Sequence, residues 1–188
     1  MENYVSSPQI WRSGVKKAFY GFIGVTFLGI LAAIFSVIPV IGWILNIVTG
    51  ILIIVSYVYF LMGLKDMRAS LINLDDAAAV SNIYTGSIIG IVAAVVSAIP
   101  FISVAGGVLA IISYVMMLVG FYRMRNSISL PELAKSGAFI LFIGMILDIV
   151  GSLLGFIPIA GPVVEAIISL AVFVLAIMGW KRISDSEI

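Results

Sequence analysis

Long apolar runs alternate with short charged segments along the chain, and a proline divides each run near its middle: Pro39, Pro100 and Pro158. Division at these prolines gives six apolar segments of 21 to 25 residues, namely 18–38, 40–64, 77–99, 101–122, 136–157 and 159–180. A helix needs about 20 residues to cross the hydrocarbon core of a bilayer, which is roughly 30 Å thick. The pattern therefore predicts an all-α polytopic membrane protein with six transmembrane helices.

The composition supports lipid as the surrounding medium. Of the 188 residues, 63% are hydrophobic and only 10% are charged, and the mean hydropathy is +1.27. Soluble domains are about half apolar and about a quarter charged, so this chain has too little polar surface to cover a water-soluble fold. The length indicates a single transmembrane domain, residues 1–188. The net charge of +1 argues against nucleic-acid binding.

All ten basic residues fall on one side of the membrane when the six segments are threaded through it. They precede the first segment or follow the second, fourth and sixth: Arg12, Lys16, Lys17, Lys65, Arg68, Arg123, Arg125, Lys135, Lys181 and Arg182. Positively charged connections stay in the cytoplasm. We therefore predict a multi-pass protein of the cell membrane with both termini cytoplasmic.

The chain repeats one hairpin three times. Similar segments precede each proline, LGILAAIFSVIP (28–39), IGIVAAVVSAIP (89–100) and LDIVGSLLGFIP (147–158), and similar segments end each copy, GLKDMRAS (63–70), GFYRMRNS (120–127) and GWKRISDS (179–186). The repeats span approximately residues 6–70, 73–127 and 129–186. Each copy begins and ends on the same side, so the copies are parallel and related by an axis along the membrane normal. A three-fold pseudosymmetric bundle is the simplest packing.

The three repeats also begin alike, with pairs at capping-box spacing: Ser6 with Gln9, Asn73 with Asp76, and Ser129 with Glu132. Serines follow at positions 13, 81 and 136, two of them next to a glycine. Two interpretations remain open. Each repeat either starts with a short interfacial helix that breaks near this serine, or continues through it as one helix.

A stripe of small residues follows one face of each outgoing helix. Its members are Gly29 and Ala33 in the first repeat, Gly86, Gly90 and Ala94 in the second, and Gly144 and Ser152 in the third. Small residues allow close helix packing in lipid, where the hydrophobic effect does not drive association. We expect this face to line the bundle interior, although small residues are also simply common in transmembrane helices.

Two acidic residues lie within the apolar segments. Asp148 replaces the repeat glycines Gly29 and Gly90 near mid-membrane, and no Lys, Arg or His in any segment can pair with it. An aspartate there costs at least about 2.5 kcal/mol on insertion scales. It is either a proton or cation site, or a protonated group bonded to a neighbouring helix through Ser152 or a carbonyl. Glu165 is the second candidate, although a place in the first turn of the last helix would explain it.

Reactive groups are otherwise scarce. The chain has no Cys and no His, which removes the commonest nucleophiles, bases and metal ligands. It contains neither a phosphate-binding loop nor a dinucleotide motif. We therefore expect no enzyme activity, no metal centre and no cofactor.

The hairpins, with their glycine- and alanine-rich outgoing helices and Ile-Pro turns in segments such as LGILAAIFSVIP (28–39), resemble an uncharacterised family of small archaeal multi-spanning membrane proteins. The resemblance implies the same multi-spanning architecture. It implies no biochemical activity, because that family has no settled function.

Two functions fit these observations. The first is a non-catalytic scaffold or accessory subunit, which would associate with other membrane subunits or form a homo-oligomer. The second is a small transporter or ion channel that uses Asp148 together with Glu165. The minimal extramembrane mass and the lack of charged residues at the proline turns favour the first.

Overall fold

A computed structural model describes residues 7–38, 41–158 and 161–186. Within these ranges the chain forms six α-helices and no β-strand: α1 (Pro8–Phe35), α2 (Ile41–Ser70), α3 (Leu74–Ser97), α4 (Ser103–Arg125), α5 (Glu132–Leu154) and α6 (Gly161–Ser184). A 3-10 turn, Pro100–Ile102, precedes α4. All six helices, with α4 taken together with this turn, are long and apolar enough to cross a membrane. The protein is therefore an all-helical chain with the properties of a multi-pass membrane protein.

The helix starts follow the predicted capping only in part. The side chain of Asn73 caps α3 by accepting hydrogen bonds from the backbone N–H groups of Asp75 (2.8 Å) and Asp76 (3.4 Å). At α1 the capping residue is Ser7, and Ser6 lies outside the described residues. At α5 the capping prediction is wrong, because Glu132 is the first helical residue and Ser129 lies before the helix.

Each outgoing helix is continuous through its serine. The helices α1, α3 and α5 pass Ser13, Ser81 and Ser136 without interruption. The neighbouring glycines allow close packing instead of a break. A Cβ atom on Gly14 would lie 2.7 Å from the backbone nitrogen of Met67, and one on Gly137 would lie 3.0 Å from that of Ile183. The interpretation with an interfacial helix and a break is therefore wrong.

The six helices form a closed ring of three hairpins. The most extensive contacts join α1 with α2, α3 with α4, and α5 with α6, and smaller contacts join α2 with α3, α4 with α5, and α6 with α1. Glycines of the returning helices allow the hairpins to close. A Cβ on Gly63, Gly120 or Gly179 would lie 2.7, 2.9 or 3.0 Å from a carbonyl oxygen of the partner helix. We call the three contacts between neighbouring hairpins the seams.

The two ends of the ring differ in charge. Lys17 at the start of α1 pairs with Asp66 near the end of α2 at 2.6 Å, and Arg123 near the end of α4 pairs with Asp75 at 3.4 Å. The side chain of Arg182 in α6 donates a hydrogen bond to Ser136 in α5. All ten basic residues therefore lie at one end, which we call the basic end, and the opposite end is the turn end.

The core lies toward the basic end. The largest fully buried side chains, all in the basic-end halves of the helices, are Trp11, Leu64, Met67, Ile83, Met124 and Ile183. Toward the turn end the buried residues are few and small, and glycines such as Gly42 and Gly151 make their close contacts within their own hairpin. The hairpins therefore pack together at the basic end and diverge toward the turns.

Candidate functional site

A cavity of about 330 Å³ lies between the helices, and all six contribute to its wall. The lining is almost entirely apolar or aromatic, and Asp148 is the only carboxylate in it. The cavity occupies the level at which the hairpins begin to diverge. It is therefore a space inside the bundle rather than a groove on the outer surface.

An aromatic cluster forms the floor of the cavity on the side of the basic end. Trp180 is only 3% exposed. Its ring centroid lies 5.3 Å from Phe60, 6.0 Å from Phe121 and 6.1 Å from Phe22, so the floor joins residues from four helices. Closer to the basic end, the buried indole N–H of Trp11 donates to the hydroxyl of Ser186 at 3.3 Å. The cavity is therefore closed on this side by two tryptophan layers.

Asp148 lies in α5 on the cavity wall and is half-buried. The hydroxyl of Tyr114 is 3.5 Å from its carboxylate and also donates to the backbone carbonyl of Met145. The ion pairs of the described residues involve other acids, all at the basic end. The single proton of this hydroxyl is directed to Met145, so within the described part of the chain the Asp148 carboxylate has only this 3.5 Å contact and no cationic partner.

Two tyrosines bridge two of the three seams. Tyr57 in α2 donates to the carbonyl of Ser87 in α3 at 2.7 Å, and Tyr114 in α4 donates to Met145 in α5. Both tyrosines lie six residues before an aligned repeat glycine, Gly63 or Gly120. The sequence signal for this role is their shared position in the repeat.

The third seam, between α6 and α1, lacks this bond. Phe173 lies six residues before Gly179 and has no hydroxyl to donate. Thr26, at the position that corresponds to Ser87 and Met145, bonds to the carbonyl of Phe22 in its own helix. The ring is therefore asymmetric, with two seams bridged by tyrosine and one without this bridge.

Glu165 does not join Asp148. It is exposed, it does not line the cavity, and its carboxylate lies beside Gly155 at the turn end of α5. It is the fifth residue of α6, so the prediction that places it in the first turn is wrong by about one residue. No contact between the two carboxylates occurs among the described residues.

Three glycines of the small-residue stripe, all toward the middle of their helices, lie against neighbouring helices. Gly86 is buried, and its carbonyl accepts a hydrogen bond from Ser113 in α4 at 2.7 Å. A Cβ on Gly90 would lie 3.0 Å from the hydroxyl oxygen of the same serine. Gly144 is buried on the cavity wall beside Leu175. Gly86 and Gly90 therefore allow close approach of α3 and α4, whereas a Cβ on Gly144 would make only an ordinary van der Waals contact, 3.6 Å from Leu175.

The remaining members of the stripe, Gly29, Ala33, Ala94 and Ser152, are exposed. A Cβ on Gly29 would meet no atom within 4 Å. The packing prediction does not hold for these four, because the hairpins diverge toward the turn end and bring no neighbouring helix against them. Ser152 in particular forms no hydrogen bond with Asp148 in the described structure.

Comparison of the chain with protein-family models, with curated protein sequences and with solved structures finds no match. The resemblance to the archaeal membrane-protein family stays a prediction. What the cavity can do therefore depends on its own residues, which offer an apolar space, an aromatic floor and one carboxylate.

Proposed function

We propose that this protein binds a small lipid-soluble molecule in the central cavity, as the binding step of a non-catalytic membrane transporter. The supporting observation is the cavity of about 330 Å³, which all six helices line. Its size reaches the lower end of ligand pockets, which enclose about 300–1,000 Å³ and combine apolar walls with a few polar groups. Asp148 supplies the polar group, and an ionisable residue inside a membrane marks a functional site more often than a structural one.

The shape of the cavity favours a binding site over an open ion channel. A channel needs a continuous polar path, whereas here Trp180 and its three aromatic neighbours close the cavity on the side of the basic end. The diverging hairpins leave the turn end less tightly packed. The proposed ligand therefore reaches the cavity from the turn end or from the surrounding lipid, and Glu165 has no part in its binding.

The closed floor also favours a second function, a non-transporting scaffold or accessory subunit. A subunit of this kind needs no path across the membrane, and the exposed apolar surfaces of all six helices could contact other membrane subunits or a second copy. Stable co-purification with a larger assembly, together with an inert cavity, would favour this function. Saturable binding of a small molecule to the isolated protein would favour the transporter.

Filling the cavity is the direct test of the proposed binding function. Ala176 lines the cavity from α6, and the ring in Ala176→Phe would occupy the space that a ligand needs. A neutral bromophenylalkyl alcohol serves as the probe, because bromine quenches tryptophan fluorescence at contact and Trp180 forms the floor. We expect saturable quenching that becomes at least about tenfold weaker in the variant, which corresponds to 1.4 kcal/mol of binding free energy.

The matched control is Leu170→Phe, which adds bulk to the same helix at a side chain that is 65% exposed. Trp43→Phe, at another exposed position, removes background fluorescence from all the proteins compared. Leu170→Phe should quench like the parent protein. Quenching that does not saturate, or that is equal in Ala176→Phe, would contradict binding in the cavity.

The orientation in the cell membrane belongs to the same proposal. Both termini and the basic end face the cytoplasm, because basic connections are retained there. The absence of native cysteine makes single-cysteine labelling direct. Phe101→Cys, at a turn-end position that is 99% exposed, should react with a membrane-impermeant maleimide in intact cells.

Ile128→Cys is the counterpart at the basic end, where the native side chain is 89% exposed. It should react only after the cells are permeabilised. Labelling of this variant in intact cells, with protection of Phe101→Cys, would reverse the proposed orientation. Equal labelling of both would indicate mixed insertion.

We also propose that the three hairpins are copies of one ancestral unit. The aligned glycines Gly63, Gly120 and Gly179 occupy the same place in their hairpins, each against a carbonyl of the outgoing helix. The aligned residues Ser70, Ser127 and Ser186 are all buried at the basic end. Asp148 and the unbridged seam are, on this proposal, departures of the third copy from a common pattern.

A further inference from the structure

The cavity combines a carboxylate with aromatic walls and contains no positive charge. Its lining includes neither lysine nor arginine, and the nearest donor to Asp148 is the hydroxyl of Tyr114 at 3.5 Å. Removal of an ionised carboxylate from water is costly unless an opposite charge accompanies it. The site is therefore complementary in charge to a ligand that carries one positive charge.

Aromatic rings in the cavity wall are the second feature that suits a positively charged organic ligand. Trp180, Phe60 and Phe121 line the cavity within one ring cluster, and Tyr114 adds a ring next to Asp148. Quaternary ammonium groups are recognised at the faces of aromatic rings, and Tyr114 supplies such a ring beside Asp148. An apolar ligand body would fill the remaining space.

An inorganic cation fits the same site poorly. Calcium takes six to eight oxygen ligands, and magnesium requires a near-octahedral set. The described residues contain no cluster of three or more acidic side chains that could hold a metal ion. One carboxylate and one phenol at the cavity wall leave most of such a coordination shell empty.

Resting on the proposed binding function, we infer that the ligand class is a monovalent hydrophobic organic cation, such as a quaternary ammonium or an amine with an apolar body. Asp148 pairs with its charge, and the aromatic floor around Trp180 holds its apolar part. The specificity is for charge and hydrophobicity rather than for a particular pattern of hydrogen bonds, because the cavity offers few polar groups.

The test compares two probes that differ only in charge, a bromophenylalkyl trimethylammonium and the corresponding bromophenylalkyl alcohol. Both are titrated against the tryptophan fluorescence of the full chain with the Trp43→Phe substitution in lipid nanodiscs, where Trp180 lines the cavity and the remaining Trp11 is fully buried outside its lining. The cation should bind at least about tenfold more weakly to Asp148→Asn than to the parent, a factor that equals 1.4 kcal/mol. Binding of the alcohol should change by less than about twofold, which also shows that the variant is folded.

Two further variants complete the experiment. Glu165→Gln removes the other acid of the membrane segments, which lies outside the cavity, and should leave the binding of both probes unchanged. Asp148→Glu retains the carboxylate and should therefore still bind the cation in preference to the alcohol. This variant keeps the role of the charge testable where Asp148→Asn does not fold.

The outcomes separate the two proposals. Loss of cation binding alone in Asp148→Asn supports the organic-cation site. Equal binding of both probes to parent and variant overturns it and leaves the cavity as a binding site for neutral molecules. Saturable quenching by the alcohol without any by the cation overturns the organic-cation site and leaves the binding function. Failure of both probes to quench Trp180 saturably overturns the binding function itself.

Discussion

Replacement of Trp180 by alanine is expected to lower the free energy of unfolding by about 3–5 kcal/mol, the range measured when large aromatic side chains are removed from packed cores. The indole is 3% exposed and contacts three phenylalanine rings from three other helices. In lipid the apolar side chain gains little from leaving water, so stability depends on packing contacts. Trp180→Ala removes those contacts where several helices meet.

Trp43→Ala is the matched control, because this tryptophan in α2 is 71% exposed. It removes the same chemical group from a position without a packed neighbourhood, and its effect should stay below about 1 kcal/mol. Unfolding by a denaturing detergent, followed by circular dichroism, measures both variants. Equal destabilisation by the two substitutions would show that the aromatic floor is not a centre of stability.

The second large effect is expected at Gly21, where the backbones of α1 and α2 lie in close contact. A Cβ there would lie 2.6 Å from the Cα atom of Phe60, and this backbone contact cannot yield by rotation of a side chain. Gly21→Val therefore has to push the two helices apart. Over-packing of this kind costs typically about 1–3 kcal/mol, and we expect the upper end of that range.

Gly29→Val, two turns further along the same helix, adds the same side chain where no atom lies within 4 Å of a Cβ. Any change in helix propensity from glycine to valine is common to both variants and cancels in the comparison. The thermal midpoint of Gly21→Val in detergent should fall well below that of Gly29→Val. A loss that is equal in the two variants would indicate that close helix approach at Gly21 is not required.

The helices could be predicted from the sequence because hydropathy and length are local properties. All six spans were located, with α2 ending later than predicted, at Ser70, and α5 beginning earlier, at Glu132. Hydropathy marks only the part of a helix that lies in hydrocarbon, whereas hydrogen bonding continues the helix into the charged segments beyond. Pro100 and Pro158 mark turns for the same local reason, whereas Pro39 lies outside the described residues.

The packing faces could be predicted only in part, because they depend on where neighbouring helices lie. Gly86 and Gly144 contact other helices, whereas Gly29 and Ala33 belong to the same stripe and do not. The hairpins diverge toward the turn end, so Gly29 and Ala33 have no neighbouring helix against them. No local sequence pattern shows where this divergence begins. Close approach occurs instead at glycines such as Gly21, which the repeat alignment did not single out.

The residues of the candidate site could also be predicted only in part. Asp148 stood out in the sequence because a carboxylate in an apolar segment is rare, and it lines the cavity. The aromatic floor did not stand out, because the sequence does not show that the rotation of α6 turns Trp180 inward. Glu165 is equally polar, but it is exposed and does not line the cavity. Its surroundings depend on the rotation of α6, which the sequence does not show.

Because residue 173 is phenylalanine rather than tyrosine, the seam between α6 and α1 lacks the tyrosine hydrogen bond that joins the helices at each of the other two seams. Separation of α1 from α6 breaks no tyrosine–carbonyl bond, whereas separation at either of the other junctions breaks one, worth about 0.6–2 kcal/mol in a membrane. The bond between Trp11 and Ser186 and the ring contact between Phe22 and Trp180 hold this junction on the side of the basic end. We therefore expect thermal separation of neighbouring hairpins to occur first between α1 and α6, which would give molecules dissolved in the bilayer a sideways route to the interior.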